Sequence, residues 1–278
     1  MIRYFVLGAV LGAAITASGC GADVQQNDLE KIVENLKIKH KERQLVRDYR
    51  EIKPIVIDIL KEVTGEDVSD IRGRVAGQRH FTRIFGDEGY FIAGYYEHLR
   101  RNMAVKQSGA VDVLKFAFHE CGHDIIEHIN KSNSFMIRNA KSTYLGAEKN
   151  SLKYPNPEKI EGMPQALLME EVGATTVERL GMLVTFEKYY KNGELGEYLA
   201  ITTTSKSIEI HAVADDICND IITYLVREEG GKPIDAVKKM FPIVRDNDFS
   251  GVVKYLTPKT LEKVEKLFEE MQKPEYEY

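Results

Sequence analysis

The sequence predicts an α+β chain that is mostly helical, with one small antiparallel sheet directly ahead of a long central helix. Three observations carry this. Apolar residues recur at three- and four-residue steps through most of the chain, the period of helices with one buried face. Only between Gly65 and Gly109 does the pattern change to aromatics, glycines and short alternations, which mark strands and turns. The composition is 43% apolar and 29% charged with a net charge of -5, as in an ordinary globular protein, and no basic stripe points to nucleic acid.

Met1 to Gly19 has the layout of a targeting segment: Arg3, then the apolar stretch Tyr4 to Ile15, then the small residues Ala17, Ser18 and Gly19 before Cys20. The apolar stretch is shorter than the roughly 20 residues a membrane-spanning helix needs. The small triplet ending in cysteine resembles the lipobox of bacterial lipoproteins, with Ala17 where that family more often has Leu. The resemblance implies cleavage before Cys20, lipid on Cys20 and anchoring of the chain in the bacterial cell envelope. Gly21 in place of Asp implies the outer membrane, facing the periplasm. Residues 20–27 then read as a tether and 28–278 as the folded domain: a helical part 28–65, a core of about 80–240 and C-terminal helices 241–278.

Asp28 is placed to cap a helix with Leu29, Ile32, Val33 and Leu36 on one face, and Leu45, Val46, Tyr49, Ile52, Val56, Ile59 and Leu60 continue the pattern to Gly65. Pro54 forces a kink or a new start. In the strand region the best candidates are Tyr90 to Tyr96 and Leu99 to Lys106, the second leading into the central helix. His80 and His98 read as surface or turn histidines. Cys121 and Cys218 leave a disulfide open, although three cysteines are too few for a disulfide scaffold.

The central helix spans Val111 to Asn130, with Val111, Leu114, Phe118, Cys121, Ile125 and Ile129 on one face. It contains His119-Glu120-Cys121-Gly122-His123. At about 100° per residue the two histidines stand one turn apart and nearly in line, so both imidazoles can reach one ion. This His-Glu-x-x-His pentad resembles that of zinc peptidases, where the glutamate is a general base toward a water activated by the metal. That implies Zn2+ on His119 and His123, with Glu120 catalytic. A strand ahead of such a helix commonly pairs with an extended substrate there.

Two imidazoles leave a tetrahedral ion short of donors. A third histidine ten residues after the first is excluded, since that position is Ile129 and the expected glycine is Ile126. His128 falls about 180° from His119. The Glu-x-x-x-Asp run of thermolysin-like chains is missing from Lys131 to Glu148. Further on, Met163 to Glu178 is an apolar helical run interrupted by Glu170 and Glu171, costly to bury without a cation. Here the chain resembles the gluzincins, zincin-like metallopeptidases in which a later helix carries Glu-x-x-Ala and the glutamate binds zinc. Glu171-Val172-Gly173-Ala174 matches that register, so the resemblance implies Glu171 as third ligand, with Glu170 in reserve.

Residues 131–163 are too many for a plain loop and are expected to hold structure beside the cleft. Gly193-Glu194-Leu195-Gly196 should end the ligand helix, and Ile208 to Glu229 forms another with Ile208, Val213, Ile217, Ile221 and Leu225 inward. In gluzincins such a helix often supplies a histidine or tyrosine to the oxyanion, which implies His211 or Tyr224. Ile234 to Phe241 and Pro258 to Met271 are two more amphipathic helices before a charged tail. The resemblances imply a peptidase with one zinc per chain and a peptide or protein substrate. Two alternatives are a non-catalytic binding lipoprotein on the same scaffold and a zinc amidase acting on a cell-wall component. Nothing in the pattern fixes the oligomeric state.

Overall fold

The computed structural model describes residues 26–90, 92–97, 100–129, 163–189, 209–246 and 248–271. The targeting segment with Cys20, His98, Leu99, the connection 130–162, Gly193 to Gly196, Ile208 and the tail 272–278 lie outside them. Among the described residues no helix is long and apolar enough to cross a membrane.

Helix α1 (Gln26–Lys41) buries Leu29, Ile32, Val33 and Leu36, the expected face. It starts before Asp28, so Gln26 and Asn27 belong to the helix rather than to the tether, and Asp28 sits in the first turn, where its charge suits the helix dipole. A single turn at Tyr49–Glu51 follows, closed by a capping box in which Asp48 accepts from the Arg50 backbone N–H. Pro54 then makes a new start in the first turn of α2 (Lys53–Thr64). Gly65, at φ 79°, ends that helix in the left-handed conformation open to glycine.

Among the described residues the sheet has three strands, β1 (Arg72–Ala76), β2 (Gly94–Glu97) and β3 (Asn102–Lys106), in the order β1-β3-β2. β2 and β3 pair antiparallel as expected, but β1 runs parallel to β3, so the sheet is mixed rather than antiparallel. β1 escapes sequence reading because Arg72-Gly73-Arg74-Val75-Ala76 has one β-branched residue and stays partly exposed along its length. A short helix, α3 (Gln78–Phe85), connects β1 toward β2 and carries His80. That histidine is therefore helical, and its Nε2 lies 2.9 Å from the Tyr95 hydroxyl and 2.8 Å from Arg74 Nη2.

Arg101, in the β2–β3 turn at φ 48°, fastens the sheet to the central helix α4 (Ala110–Ile129). Its Nε and Nη2 donate to the two oxygens of buried Asp124 at 2.8 and 2.5 Å, and the Tyr96 hydroxyl donates to the same carboxylate. Three donors, two of them on a cationic guanidinium, thus reach that buried charge, the kind of pairing under which burying it is tolerable.

Helix α5 (Met163–Tyr189) is buried on nearly all sides and joins two apolar cores. Its C-terminal half packs with α1, α2, the sheet and α4. Its N-terminal part packs with α6 (Ile210–Glu229), α7 (Pro233–Asp246) and α9 (Pro258–Met271), with the short α8 (Phe249–Val252) between the last two. In α6, Val213, Ile217, Ile221 and Leu225 are buried as expected. The helix expected to end at Phe241 runs through Pro242 to Asp246. Cys121 and Cys218 are both buried free thiols, so no disulfide joins α4 to α6.

Candidate metal centre

The site forms where α4 and α5 cross, and glycines set how near they come. A Cβ on Gly122 would lie 2.7 Å from the Ala174 Cα and 3.1 Å from its carbonyl oxygen, closer than any side chain could tolerate. A Cβ on Gly181 would press on the Phe118 ring, and one on Gly173 on Ile126, so small residues line the contact along its length. Phe118 faces Gly181 while Ile126 faces Gly173, so the helices run antiparallel and the middle of one meets the middle of the other.

This contact brings the sequence-predicted ligands together. His119 and His123 stand with ring centroids 5.0 Å apart. Glu171, on α5, places Oε2 3.5 Å from His119 Nε2 and Oε1 3.8 Å from His123 Nε2. Both imidazoles thus turn the same nitrogen toward one carboxylate. Their other nitrogens are held from behind: Glu170 Oε1 lies 2.9 Å from His123 Nδ1, and Glu178 Oε2 lies 3.2 Å from His119 Nδ1. Lys115 reaches the second Glu178 oxygen at 3.4 Å. Carboxylates behind ligating histidines fix ring orientation and tautomer and raise the basicity of the nitrogen in front.

Glu170 is no reserve ligand: adjacent helical residues point about 100° apart, so it reaches the back of His123 while Glu171 reaches the front. Glu178 was missed as a participant, although its position seven residues, or two turns, beyond Glu171 puts it on the same face of α5. That spacing was the available signal.

The two oxyanion candidates part company. His211, in the first turn of α6, puts Nδ1 3.0 Å from Glu171 Oε2, and its ring centroid is 5.9 Å from that of His119. Tyr224 lies thirteen residues later on α6, about 20 Å along the axis and about 220° round it. Its ring packs edge-on against Tyr255 at 5.0 Å, away from the site. His128 also points elsewhere, with Nδ1 2.9 Å from the Asp124 carbonyl oxygen.

Glu120 is 6% exposed and lies against the first residue of β2, where a Cβ on Gly94 would overlap Oε1. Burial raises its carboxyl above the usual carboxylate range, against the pull of His119 and His123. Burial also works against the charged forms of His119 and Glu171, but their proximity wins. The imidazole is held well above its ordinary value by Glu171 and Glu178, and the carboxyl well below its own by His211, His123 and His119.

Such a set of buried charges fits a divalent cation. Glu171 Oε2 is buried and, although His211 Nδ1 and His119 Nε2 lie 3.0 and 3.5 Å from it, neither contact is aligned as a hydrogen bond. Ligand atoms of His119, Glu171 and His211 lie within 4.8 Å of one another, a group that does not include His123. Neutral imidazole nitrogen with carboxylate oxygen is a donor set that zinc accepts. Comparison with known proteins gave no match to this chain among protein-family models, curated proteins or solved structures.

Proposed function

We propose that this chain is a zinc-dependent peptidase of the gluzincin type, with a zincin-like core held in the bacterial envelope by lipid on Cys20. In this reading His119, His123 and Glu171 hold one zinc ion and Glu120 is the general base. The observation that carries the reading is the convergence of the two Nε2 atoms on the Glu171 carboxylate while Glu170 and Glu178 brace both rings from behind. A bundle built only for stability has little use for this many buried acids.

When bound, the ion would polarise the scissile carbonyl and make water a nucleophile near neutral pH. Glu120, beside the ligands, takes the proton from the attacking water and returns it to the departing amine. Its raised pKa suits that exchange, because a base that also acts as acid works best near the ambient pH. Gly94 makes room for the carboxylate against the sheet. Among the described residues β2 is an edge strand, and an extended peptide added beside it would pass Glu120.

Glu120→Gln supplies the test. The variant should bind zinc as the parent does and hydrolyse a peptide library about a thousandfold more slowly, as expected for loss of a general base. Undiminished hydrolysis would remove the assignment. Cleavage of cell-wall amides in place of peptides would change the substrate and leave the site as described.

A further inference from the structure

The cluster contains one donor more than a catalytic zinc requires. Two imidazoles and a carboxylate leave the fourth tetrahedral position for water or substrate. His211 approaches from a third helix, and its Nδ1 is nearer to Glu171 Oε2, at 3.0 Å, than either histidine of the pentad.

The three imidazoles are not held alike. The rings of His119 and His123 are 14% and 7% exposed, and each is pinned at Nδ1 by a carboxylate from α5. His211 is 65% exposed, and its one polar contact among the described residues is Glu171. It stands in the first turn of α6, where its side chain can change rotamer without disturbing a packed face. A ring with no brace behind it binds more weakly and leaves more easily than a braced one.

We propose that His211 is an exchangeable fourth ligand: it closes the coordination of the ion in the resting protein and gives up its place when a peptide arrives. The inference rests on the metal reading above. His119, His123 and Glu171 are the permanent ligands, and the exposed ring is the removable one. The resting site then has the closed, all-protein coordination typical of structural zinc, and only displacement of His211 opens it. No bond other than the nitrogen–metal contact is made or broken.

Zinc-edge X-ray absorption and chelator competition on the exported chain, with His211→Ala as the variant, decide it. The parent should show three imidazoles per zinc. The variant should show two, with an oxygen donor in place of the third, and should bind one zinc with about tenfold or greater loss of affinity, since even outer supports of a ligand are worth that much. Unchanged circular dichroism would show that the variant folds, as expected for an exposed residue. Two imidazoles in the parent, or equal affinity in both proteins, overturns the inference and leaves the three-ligand site standing. A parent that binds no zinc overturns the metal reading and the inference with it.

Discussion

The α4–α5 crossing and the α6–α9 layer are both well-packed helical structure, yet they bury opposite kinds of side chain. At the crossing Glu120, Asp124, Glu127, Glu170, Glu171 and Glu178 are all nearly shielded from solvent. In the α6–α9 layer Asp216 is the one buried acid among the described residues, and Lys263 neutralises it; apart from Thr260 the rest of the buried layer is apolar. The apolar layer stabilises the fold by removing surface from water, at about 25 cal/mol per Å². The crossing gives up part of that gain to hold charge in place: Arg101 compensates Asp124, Lys115 compensates Glu178, and on the proposed reading a bound cation would compensate Glu171. On the proposed reading, the difference separates a region whose sequence serves stability from one whose sequence serves chemistry.

Substitutions can drive the two regions apart. Leu267→Ala, in the fully buried middle of α9, should cost about 3 kcal/mol of unfolding free energy by leaving a cavity. Chemical denaturation would read that loss while zinc affinity stays at the parental value. Gly122→Val, at the crossing, should cost about 2 kcal/mol by forcing the Ala174 backbone away, and it should also abolish tight zinc binding because Glu171 moves with α5. Equal loss of zinc in both variants would mean that the two regions are not separable.

Glu178→Gln is the smallest change. It should leave denaturation nearly unaltered and weaken zinc binding by about 10- to 100-fold through a loosened His119. An unaltered affinity would reduce Glu178 to a partner of Lys115.

The helical part of the fold was largely legible. The faces of α1, α2 and α6 follow the 3.6-residue period, and Pro54 and Gly65 mark boundaries by backbone geometry alone. β1 was not, because a charged, partly exposed edge strand lacks alternation, and its parallel pairing with β3 depends on the path through α3. In the site, helical spacing singled out His119 and His123 and the cost of burying acids singled out Glu170 and Glu171, because both are local properties; the choice of Glu171 came from the resemblance to gluzincins. The position of His211 depends on how α6 lies across α5, which no period encodes. Tyr224 shows the converse: it shares the helix of His211 and ends up against Tyr255.

The most direct measurement is a zinc titration of the purified chain beside Glu171→Gln, with bound metal counted by elemental analysis. The account predicts one tightly held ion per parent chain and loss of tight binding in the variant, since both imidazoles face that carboxylate. A parent that takes up no zinc, or a variant that holds it as firmly, would contradict it.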